Sequence, residues 1–511
     1  MHSTLIASAA ALAFSLTAHA ARSTDSGQRL YRTGLLSTGA PVRATVEGDV
    51  AVTGRQLSCA TCHGQSGMGS IEGRKVVPPI AAPFLSTARP LRSRARPPYT
   101  DAALIRAIER GVDPAGNTLD PLMPRYQLPK ADAEALVGYL RQLSAKPSEG
   151  VEGKTIHLAT VITPGTRASE RAAMLKVLET FFRQKTANAV DHRSRQITSW
   201  PEFYGDWALH VWELHGPPNS WRRQLEAQYR AQPVFALVSG LGGDSWQPVD
   251  DFCQARQLPC LMPNVDTPPA LGDGGTARYL SGGTAVEAAA IASRLARDGT
   301  GSVLQVVGKD AASERGADAL ADALTRRGTD VRLTTTRVTD GEAIARRARE
   351  LGADALVIWL DADELGPLGS GVSVPTYFSA TLLRGDLALA RALAPTTGIV
   401  AQPFEPASSA EVRFRRVGSW LASGAIPSTP DVRRIQDQTF FALTVLSEGF
   451  MHMKHNLLRD YLLEGVDHFS GLENFSAYYP HLTFGPGQAL LSKGCYLVSL
   501  RDENHPEWIV P

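Results

Sequence analysis

Two cysteines and a histidine near the N-terminus combine residue types and a spacing that can carry chemistry. In LSCATCHGQSG, residues 57–67, Cys59 and Cys62 are separated by two residues and His63 follows directly. Two thiols at this spacing can each add to one vinyl group of a haem, and the next residue then lies beneath the iron and offers it an imidazole nitrogen. This is the attachment pattern of c-type haem. The sequence therefore predicts one covalently attached haem c.

A redox dithiol and a zinc site are the two alternatives for the same string. A redox Cys-x-x-Cys pair does not require the histidine. A structural zinc ion takes four ligands, and the next cysteine along the chain, Cys253, lies far away in the sequence. Both alternatives therefore explain less of the string than a haem does.

The first 20 residues have the pattern of a secretory signal peptide. The apolar stretch LIASAAALAFSL has the length of the hydrophobic region of such a signal, and AHA places small residues at Ala18 and Ala20. We therefore expect cleavage after Ala20 and export to the periplasm, since bacteria attach haem c outside the cytoplasm. The alternative is an uncleaved membrane anchor, for which the run is short. No other stretch is long and apolar enough to cross a bilayer, so no stable membrane span is expected.

A methionine further along the chain could bind the opposite face of the iron. In LDPLMPRYQLPKADAEALVGYLRQL, Met123 is followed by a proline and then by a helical pattern. The apolar stripe of this predicted helix consists of Leu136, Val137, Leu140 and Leu143. A core methionine is the plain alternative role for Met123, and Met68 competes for the ligand role. Met68 follows His63 so closely that it can hardly reach the opposite haem face.

Both ends of this region resemble class I cytochromes c. GQRLYRTG is similar to the first helix of that family, and a loop methionine before a final helix is similar to its end. The resemblance covers about residues 26–145. It implies Cys59 and Cys62 as thioether sites, His63 as the proximal iron ligand and Met123 as the distal ligand. Because His/Met ligation fills both axial positions of the iron, we expect a domain that passes single electrons and is not an enzyme.

The remaining sequence has a different pattern. SAKPSEGVEGK, residues 144–154, is rich in Ser, Gly, Pro and charge, and predicts a linker. After it, strand-like runs such as TIHLATVI, PVFALVSGL and ADALVIWL alternate with helical patterns such as SERAAMLKVLETFFRQ and GADALADALTRRG. This alternation predicts an α/β architecture with parallel sheets, and its length favours two lobes.

The predicted fold class is therefore multidomain, with an all-α cytochrome c domain followed by a two-lobed α/β domain. The predicted boundaries are residues 1–20 for the signal peptide, 21–145 for the cytochrome c domain, 146–153 for the linker and 154–511 for the two α/β lobes.

The charge of the chain is small overall and uneven along it. The formal net charge is +1, which excludes a strongly nucleic-acid-binding composition. Residues 21–148 carry 17 basic and 10 acidic residues, whereas the residues after them are net acidic. The run RPLRSRAR contains Arg89, Arg92, Arg94 and Arg96. We expect this run to be solvated surface that could also steer an acidic redox partner.

The order of the α/β elements resembles the type I periplasmic binding proteins, the receptor group for branched-chain amino acids and amides. The blocks VSGLGGDSWQPVDDFC, LPCLMPNVDTPPAL, YLSGGTAVEAAAIASRLARDG and LQVVGKDAASERGADALADALTRRG follow one another as in that family, over roughly residues 154–500. The ending YYPHLTFGPGQALLSKGCYLVSL is similar to a subgroup of these receptors associated with quinoprotein alcohol oxidation, which depends on pyrroloquinoline quinone (PQQ).

In that family the ligand lies between the lobes, at the ends of parallel strands, where open α/β sheets bind ligands. The matching loops here are SGLGGDSW, residues 239–246, and PNVDTPP, residues 263–269. Thr267 matches a carboxylate-binding threonine, but Gly243 and Ser313 stand where a hydroxyl and a Tyr-Gly pair are usual, which favours a small molecule other than an amino acid. The candidate ligand-binding residues are Gly243, Asp244, Ser245, Trp246, Asp266 and Thr267. For each of them, a helix cap or a turn is the alternative role.

Three cysteines remain outside the haem motif. Cys253 and Cys260 lie at the end of a predicted helix and the start of a predicted strand. In an oxidising compartment two such residues favour a disulfide over two free thiols. Cys495, in the strand-like GCYLVSL, is expected to be a small buried residue.

Three functional hypotheses follow from these patterns, and the third, an enzyme acting at the haem, requires that Met123 does not bind the iron. The first is a periplasmic cytochrome that transfers single electrons, with a receptor-like domain that binds a small molecule or a partner dehydrogenase. A PQQ-dependent alcohol dehydrogenase is one candidate partner. The alternative is a solute-binding receptor of the ABC-transporter type, or a sensor, in which the haem is accessory.

Overall fold

The computed structural model describes residues 25–47, 50–72, 75–90, 95–194, 205–243, 245–269, 275–365, 372–469 and 478–511. The predicted signal peptide, Arg92, Arg94 and Asp244 lie outside these ranges. The described chain forms two units. The N-terminal unit contains the residues up to Ser148 together with Asn456–Glu464, and the C-terminal unit contains Glu149–His455 and Gly465–Pro511.

The N-terminal unit consists of short helices and two small sheets. Its helices are α1 (residues 25–33), α2 (Cys59–His63), α3 (Ala82–Ser86), α4 (Asp101–Arg110) and α5 (Lys130–Leu140), and Arg55–Leu57 form a 3-10 turn. Its strands are β1 (Arg43–Val46), β2 (Val50–Thr53), β3 (Ser70–Glu72), β4 (Lys75–Val77) and β5 (Arg125–Gln127). Strand β1 pairs antiparallel with β2 and β5, and β3 pairs antiparallel with β4. The predicted helical domain is confirmed, with two small sheets added to it.

Helices α1 and α5 pack closely because a glycine lies between them. A Cβ atom on Gly27 would lie 2.2 Å from the carbonyl oxygen of Ala135, so any larger residue would push the helices apart. Nearby, the rings of Tyr31 and Tyr139 are in contact, with centroids 5.3 Å apart. The predicted apolar stripe, Leu136, Val137, Leu140 and Leu143, is buried. Burying each such side chain contributes roughly 1.5–3 kcal/mol to folding.

Lobe 1 of the C-terminal unit is built on a mostly parallel sheet. Its strands are β6 (Val151–Glu152), β7 (Thr155–Ile162), β8 (Asp206–Glu213), β9 (Ala236–Val238), β10 (Cys260–Leu261), β11 (Ala277–Ser281) and β17 (Leu490–Ser492). Their order is β17-β11-β10-β9-β7-β6, and β8 also pairs with β7. Helices α6 (Ala168–Ser194), α7 (Trp221–Ala231) and α8 (Gln247–Arg256) connect these strands. Part of the predicted linker is therefore β6, which pairs antiparallel with β7.

Lobe 2 contains a second sheet. Its strands are β12 (Ser302–Val307), β13 (Arg332–Thr336), β14 (Ala355–Trp359), β15 (Thr376–Ser379), β16 (Gly398–Gln402), β18 (Cys495–Ser499) and β19 (Asp502–Ile509), in the order β13-β12-β14-β15-β16-β18-β19. The first five strands are parallel, and β18 and β19 add antiparallel. The helices are α9 (Thr284–Arg297), α10 (Ala311–Arg326), α11 (Gly341–Leu351) and α12 (Leu387–Leu393). The predicted two-lobed α/β architecture is confirmed.

The apolar runs that predicted strands form the buried centres of the two sheets. All residues of β12 and β14 are buried, because a parallel sheet is covered by helices on both faces. Two further helices, α13 (Ala407–Ser423) and α14 (Pro430–Met453), lie between β16 and β17 in sequence. The chain therefore leaves lobe 1 after β11, returns to it at β17 and leaves again for β18.

The cysteines of the C-terminal unit are placed as the sequence predicts. Cys253 and Cys260 form a disulfide bond, with Cα atoms 6.3 Å apart. Cys495 is buried in β18.

Within the described ranges, no helix combines the length and the apolarity that crossing a membrane would require.

Candidate functional site

A cavity in the N-terminal unit brings together residues from two separate parts of the sequence. It encloses about 1290 Å³, including the space at its mouth, and Cys59, Cys62, His63 and Met123 all line it. Its apolar walls include Val77, Pro78, Ile80, Leu85, Leu104, Ile108, Leu136 and Leu140. A large cavity of this composition suits a flat and mostly apolar prosthetic group.

The CATCH string forms helix α2, and this local helix orients its side chains. Ser58 has extended backbone angles at the start of the helix, and its hydroxyl is hydrogen-bonded to the hydroxyl of Thr61 at 2.7 Å. Residues three apart lie on one face of a helix, so Cys59 and Cys62 point to the same side. The helix ends at Gly64, whose φ of 75° lies in the left-handed region that glycine tolerates.

The imidazole of His63 is buried and held by a backbone carbonyl. Its side chain is 8% exposed, and Nδ1 lies 3.0 Å from the carbonyl oxygen of Pro78. With the proton on Nδ1, this hydrogen bond leaves the lone pair of Nε2 for a metal. Burial lowers the pKa of His63, although the Pro78 carbonyl acts in the opposite direction. The neutral imidazole that results is the form that binds iron.

The two cysteines of α2 differ in exposure. Cys62 is exposed, whereas Cys59 is partly buried. Burial raises the pKa of the Cys59 thiol to about 12, although its hydrogen bond with Tyr126 acts against this rise. Redox dithiols are activated by a lowered pKa, so this shift disfavours the dithiol alternative.

The loop that carries Met123 is held by one arginine. The Arg125 guanidinium donates hydrogen bonds to the carbonyls of Met123, Leu119 at 3.0 Å and Asp120 at 3.3 Å. Gly111 makes room for this side chain, because a Cβ atom there would lie 1.9 Å from Arg125 Nε. Met123 lines the cavity from this loop.

Met68, the competing methionine, is not among the described residues that line the cavity.

Arg96, part of the predicted basic surface, has a structural role instead. It is 8% exposed and donates hydrogen bonds of 2.9 Å to the carbonyls of Pro97 and Phe84. Its guanidinium also lies 4.6 Å from the centre of the Tyr99 ring. Arg96 thus supplies donors to a carbonyl of α3 and to one of the segment that follows it. The prediction of solvated surface is therefore wrong for Arg96, whereas Arg89 is exposed.

A smaller cavity, of about 270 Å³ including the open space beside it, lies between the lobes of the C-terminal unit. It is lined by the end of β11, by residues that follow β10, β11 and β15, and by α14. An ion pair of 3.0 Å joins Asp266 to Arg434, and Gln438 Nε2 donates a 2.8 Å hydrogen bond to the Tyr479 hydroxyl. The chain's own side chains therefore satisfy much of the polar lining.

The predicted ligand-binding residues are scattered around this cleft. Of the described members of that set, Asp266 lines the cavity. Trp246 is 2% exposed and lies in the core of lobe 1, and Thr267 is also buried. The Gly243 amide donates a 2.8 Å hydrogen bond to the Thr163 hydroxyl, so it is already used. Ser245 is partly exposed, and Asp244 lies outside the described residues.

The cleft contains residues that the sequence analysis missed. Arg434 and Gln438 lie on α14, and Tyr479 comes from the C-terminal segment. A partial signal was present in the sequence, because Arg434 and Gln438 are one helical turn apart, just before and at the start of the mostly apolar run QTFFALTVL. No local pattern indicated Tyr479.

Glu287, at the start of α9, is a buried acid of this unit. It is fully buried and accepts hydrogen bonds from the Ser379 hydroxyl and from the Thr381 amide and hydroxyl, the last two at 2.9 and 2.7 Å. Burial raises the pKa of Glu287 to about 8, although these donors act against the rise. The carboxyl is therefore mostly protonated at neutral pH.

A comparison with protein families identifies the N-terminal unit. The family model for cytochrome c matches residues 51–144, which contain the CATCH helix and Met123. This part of the chain is a cytochrome c domain. The prediction of that domain is confirmed. A comparison with curated protein sequences gives no match.

Solved structures show the fold of the rest of the chain. A branched-chain amino acid ABC transporter protein from Thermus thermophilus, with bound valine, is 11% identical to this chain and has a TM-score of 0.52. The alignment spans 71% of this chain and 98% of that protein. A fatty acid ABC transporter substrate-binding protein from Thermomonospora curvata is 13% identical and has a TM-score of 0.50. That alignment spans 71% of this chain and 94% of the protein. At such identities the likeness concerns the fold alone. Beside its cytochrome c domain, the chain has the two-lobed fold of type I periplasmic binding proteins.

Proposed function

We propose that the protein is a periplasmic electron carrier that passes single electrons through one covalently attached haem c. The observation that carries this proposal is the apolar cavity of the cytochrome c domain, which Cys59, Cys62, His63 and Met123 line together. The apolar walls and the neutral imidazole of His63 fit a haem. The proposed location follows from the signal-peptide pattern of residues 1–20.

Four side chains have distinct roles under this proposal. Cys59 and Cys62 would hold a haem through thioether bonds, and His63, through Nε2, and Met123 would bind its iron. The bound haem supplies a reversible one-electron couple. The Pro78 carbonyl orients the imidazole, and Arg125 holds the methionine loop. With His63 and Met123 both bound to the iron, no position would remain for a substrate, which favours electron transfer over catalysis.

For the C-terminal unit we propose recognition of the redox partner, with a small molecule as the other candidate ligand. Arg434, Gln438 and Tyr479 line and partly fill the cleft, and Arg434 is paired with Asp266. A cleft whose charges are paired within the chain favours a docking role over solute transport. The C-terminal segment, residues 478–500, resembles a subgroup linked to quinoprotein alcohol oxidation. A PQQ-dependent alcohol dehydrogenase is therefore the proposed electron donor.

The donor can be tested by rapid mixing. Substrate-reduced PQQ-dependent alcohol dehydrogenase is mixed with the oxidised full-length protein, and haem reduction is followed by absorbance. We expect reduction within the turnover time of the dehydrogenase. A control reaction replaces that enzyme with a reduced dehydrogenase of another cofactor class. Equal or absent reduction in both mixtures would remove the quinoprotein from the proposal.

The alternative, a solute receptor or sensor with an accessory haem, is supported by the cavity that remains beside Asp266 and Thr381. It predicts saturable binding of a small molecule that survives the double substitution Cys59→Ala and Cys62→Ala. Calorimetric titration of both proteins with branched-chain amino acids, amides and fatty acids separates the two functions. Electron transfer with a dehydrogenase requires the cysteines, whereas solute binding does not.

A further inference from the structure

A distant segment of the chain belongs to the cytochrome c domain. Residues Asn456–Glu464 lie in the N-terminal unit, although 398 positions separate Glu464 from Ser66. The carboxylate of Glu464 accepts a 2.8 Å hydrogen bond from the Ser66 amide and a 2.6 Å hydrogen bond from the Ser66 hydroxyl. Ser66 is completely buried. Both carboxylate oxygens are therefore used to hold the loop that follows His63.

This loop is shaped for the carboxylate. Gly64, the residue next to His63, has a φ of 75°, and a Cβ atom there would lie 2.8 Å from Oε2 of Glu464. Glycine is therefore required both by the backbone angle and by the close approach of the acid. The Gly64 carbonyl also accepts a 2.6 Å hydrogen bond from the Tyr31 hydroxyl.

The segment is attached at several points besides Glu464. Asp460 forms an ion pair of 2.8 Å with Arg32 of α1. The Ser148 amide donates to the Leu457 carbonyl, and the Ser148 hydroxyl accepts from the Arg459 amide, each at 3.0 Å. Glu464 lies on helix α15 (Arg459–Asp467), whose first turn these contacts hold. The position of its carboxylate thus depends on a set of contacts and not on one hydrogen bond.

We propose that Glu464 is a positioning residue of the haem site, which holds the loop after the proximal ligand and sets the reduction potential of the haem through its charge. The inference rests on the proposed function, because it presumes that His63 binds a haem iron. A negative charge beside the proximal ligand stabilises ferric over ferrous iron. Glu464 therefore lowers the reduction potential when it is ionised.

The protonation of Glu464 is poised near neutral pH. Burial raises its pKa to about 7, although the Ser66 donors act against the rise. The titratable and charged groups around it are Tyr31 and Arg32 on α1 and Asp460 and Tyr461 on α15. Arg32 is paired with Asp460, so it does not neutralise Glu464 directly. The reduction potential is expected to fall as the pH rises through about 7.

The test is a redox titration of the full-length, haem-loaded protein from pH 5.5 to 8.5. Glu464→Gln keeps the shape of the side chain and removes its charge, so it should raise the potential above pH 7 and flatten its pH dependence. A tenfold difference in proton affinity between ferric and ferrous protein corresponds to about 59 mV for a one-electron couple. The matched control is Glu134→Gln, an exposed acid on α5 of the same unit.

Equal potentials and equal pH profiles for Glu464→Gln and Glu134→Gln would overturn the proposal. If Glu464→Gln does not fold, Ser66→Ala replaces it as the test. This change removes one donor to the carboxylate and no charge, so it should move the pH dependence to higher pH, and an unmoved profile contradicts the proposal. Failure of the wild-type protein to bind haem would instead refute the proposed function, which the absorption spectrum reveals before any titration.

Discussion

The cavity of the cytochrome c domain and the cleft of the C-terminal unit differ in size and in what satisfies their polar groups. Counted with the open space at its mouth, the first measures about 1290 Å³ and has largely apolar walls, whereas the second measures about 270 Å³ and has an Asp266–Arg434 ion pair in its lining. Binding of a large apolar group in an apolar cavity is favourable, because it removes the apolar surface of the walls from water. A cleft whose charges are paired within the chain gains less from a charged ligand, because binding must first separate that pair. The comparison therefore supports the proposed haem in one region and the proposed partner docking in the other.

The largest effect is expected when the cofactor is removed from the cytochrome c domain and the C-terminal unit stays intact. In the double variant Cys59→Ala and Cys62→Ala, no thioether can form, so we expect haem absorbance on a denaturing gel to fall at least about tenfold. The C-terminal unit should keep its own unfolding transition, because its core includes neither cysteine. Cys495→Ala, which also removes a cysteine, is the control and should keep the haem. Covalent haem in the double variant would contradict the assignment.

The second prediction separates the two methionines. Met123→Ala should abolish the methionine-to-iron charge-transfer band and lower the reduction potential by on the order of 0.1 V, a fraction of the range that axial ligands control. Met68 is not among the described residues that line the cavity, so Met68→Ala should change neither the band nor the reduction potential. Absorption spectroscopy and redox titration measure both effects. The reverse pattern would make Met68 the ligand.

The third prediction concerns the acid buried near the cleft. The pKa of Glu287 is raised by burial from 4.5 to about 8, so the folded state holds a proton that the unfolded state releases. Its contribution to stability is complete below pH 4.5 and is lost as the pH rises to about 8. Within this window, each rise of one pH unit lowers the free energy of unfolding by up to about 1.4 kcal/mol. Urea unfolding of the C-terminal unit should show this loss for the wild-type protein and a weaker one for Glu287→Gln. Parallel pH profiles of the two proteins would contradict the raised pKa of Glu287.

The smallest expected effect is that of breaking the ion pair in the cleft. Because the Asp266 side chain is 43% exposed, solvent screens the pair, and Arg434→Ala should cost about 1–2 kcal/mol, less than the loss of one partner from a fully buried pair. Arg347→Ala, at an exposed pair on α11, should change stability by less than about 0.5 kcal/mol. The unfolding free energies of the two variants measure the difference. Gain of tight small-molecule binding by Arg434→Ala would show that the arginine occupies a ligand site.

The haem motif and the disulfide could be predicted because their chemistry is local. Cys59, Cys62 and His63 occupy a single short helix, so their relative geometry follows from helical spacing alone. Cys253 and Cys260 are joined by the short connection between α8 and β10. Apolar runs such as ALVIW predicted buried parallel strands, because a sheet covered on both faces needs apolar residues throughout. In each case the pattern and the structure depend on neighbouring residues.

The predicted ligand residues fared differently because a loop pattern does not tell which side chains face a cleft. Trp246 lies in the core of lobe 1, and the Gly243 amide donates its hydrogen bond to the Thr163 hydroxyl. Asp266, in contrast, lines the cleft. Arg96 was expected on the surface, but it is buried and donates hydrogen bonds to the backbone carbonyls of Phe84 and Pro97. Whether a polar residue is exposed depends on which unpaired backbone groups the fold brings near it.

The sequence by itself determined the type of cofactor, the class of each domain and the disulfide, because covalent spacing and hydrophobic periodicity extend over only a few residues. Tertiary structure alone decided that Arg434 meets Asp266 across 168 positions and that Glu464 meets Ser66 across 398. Such pairs depend on the topology that brings distant segments together, and no local pattern encodes them. The physical reason is that a carboxylate removed wholly or partly from water pairs with the donors that the fold places near it, whatever their distance along the chain.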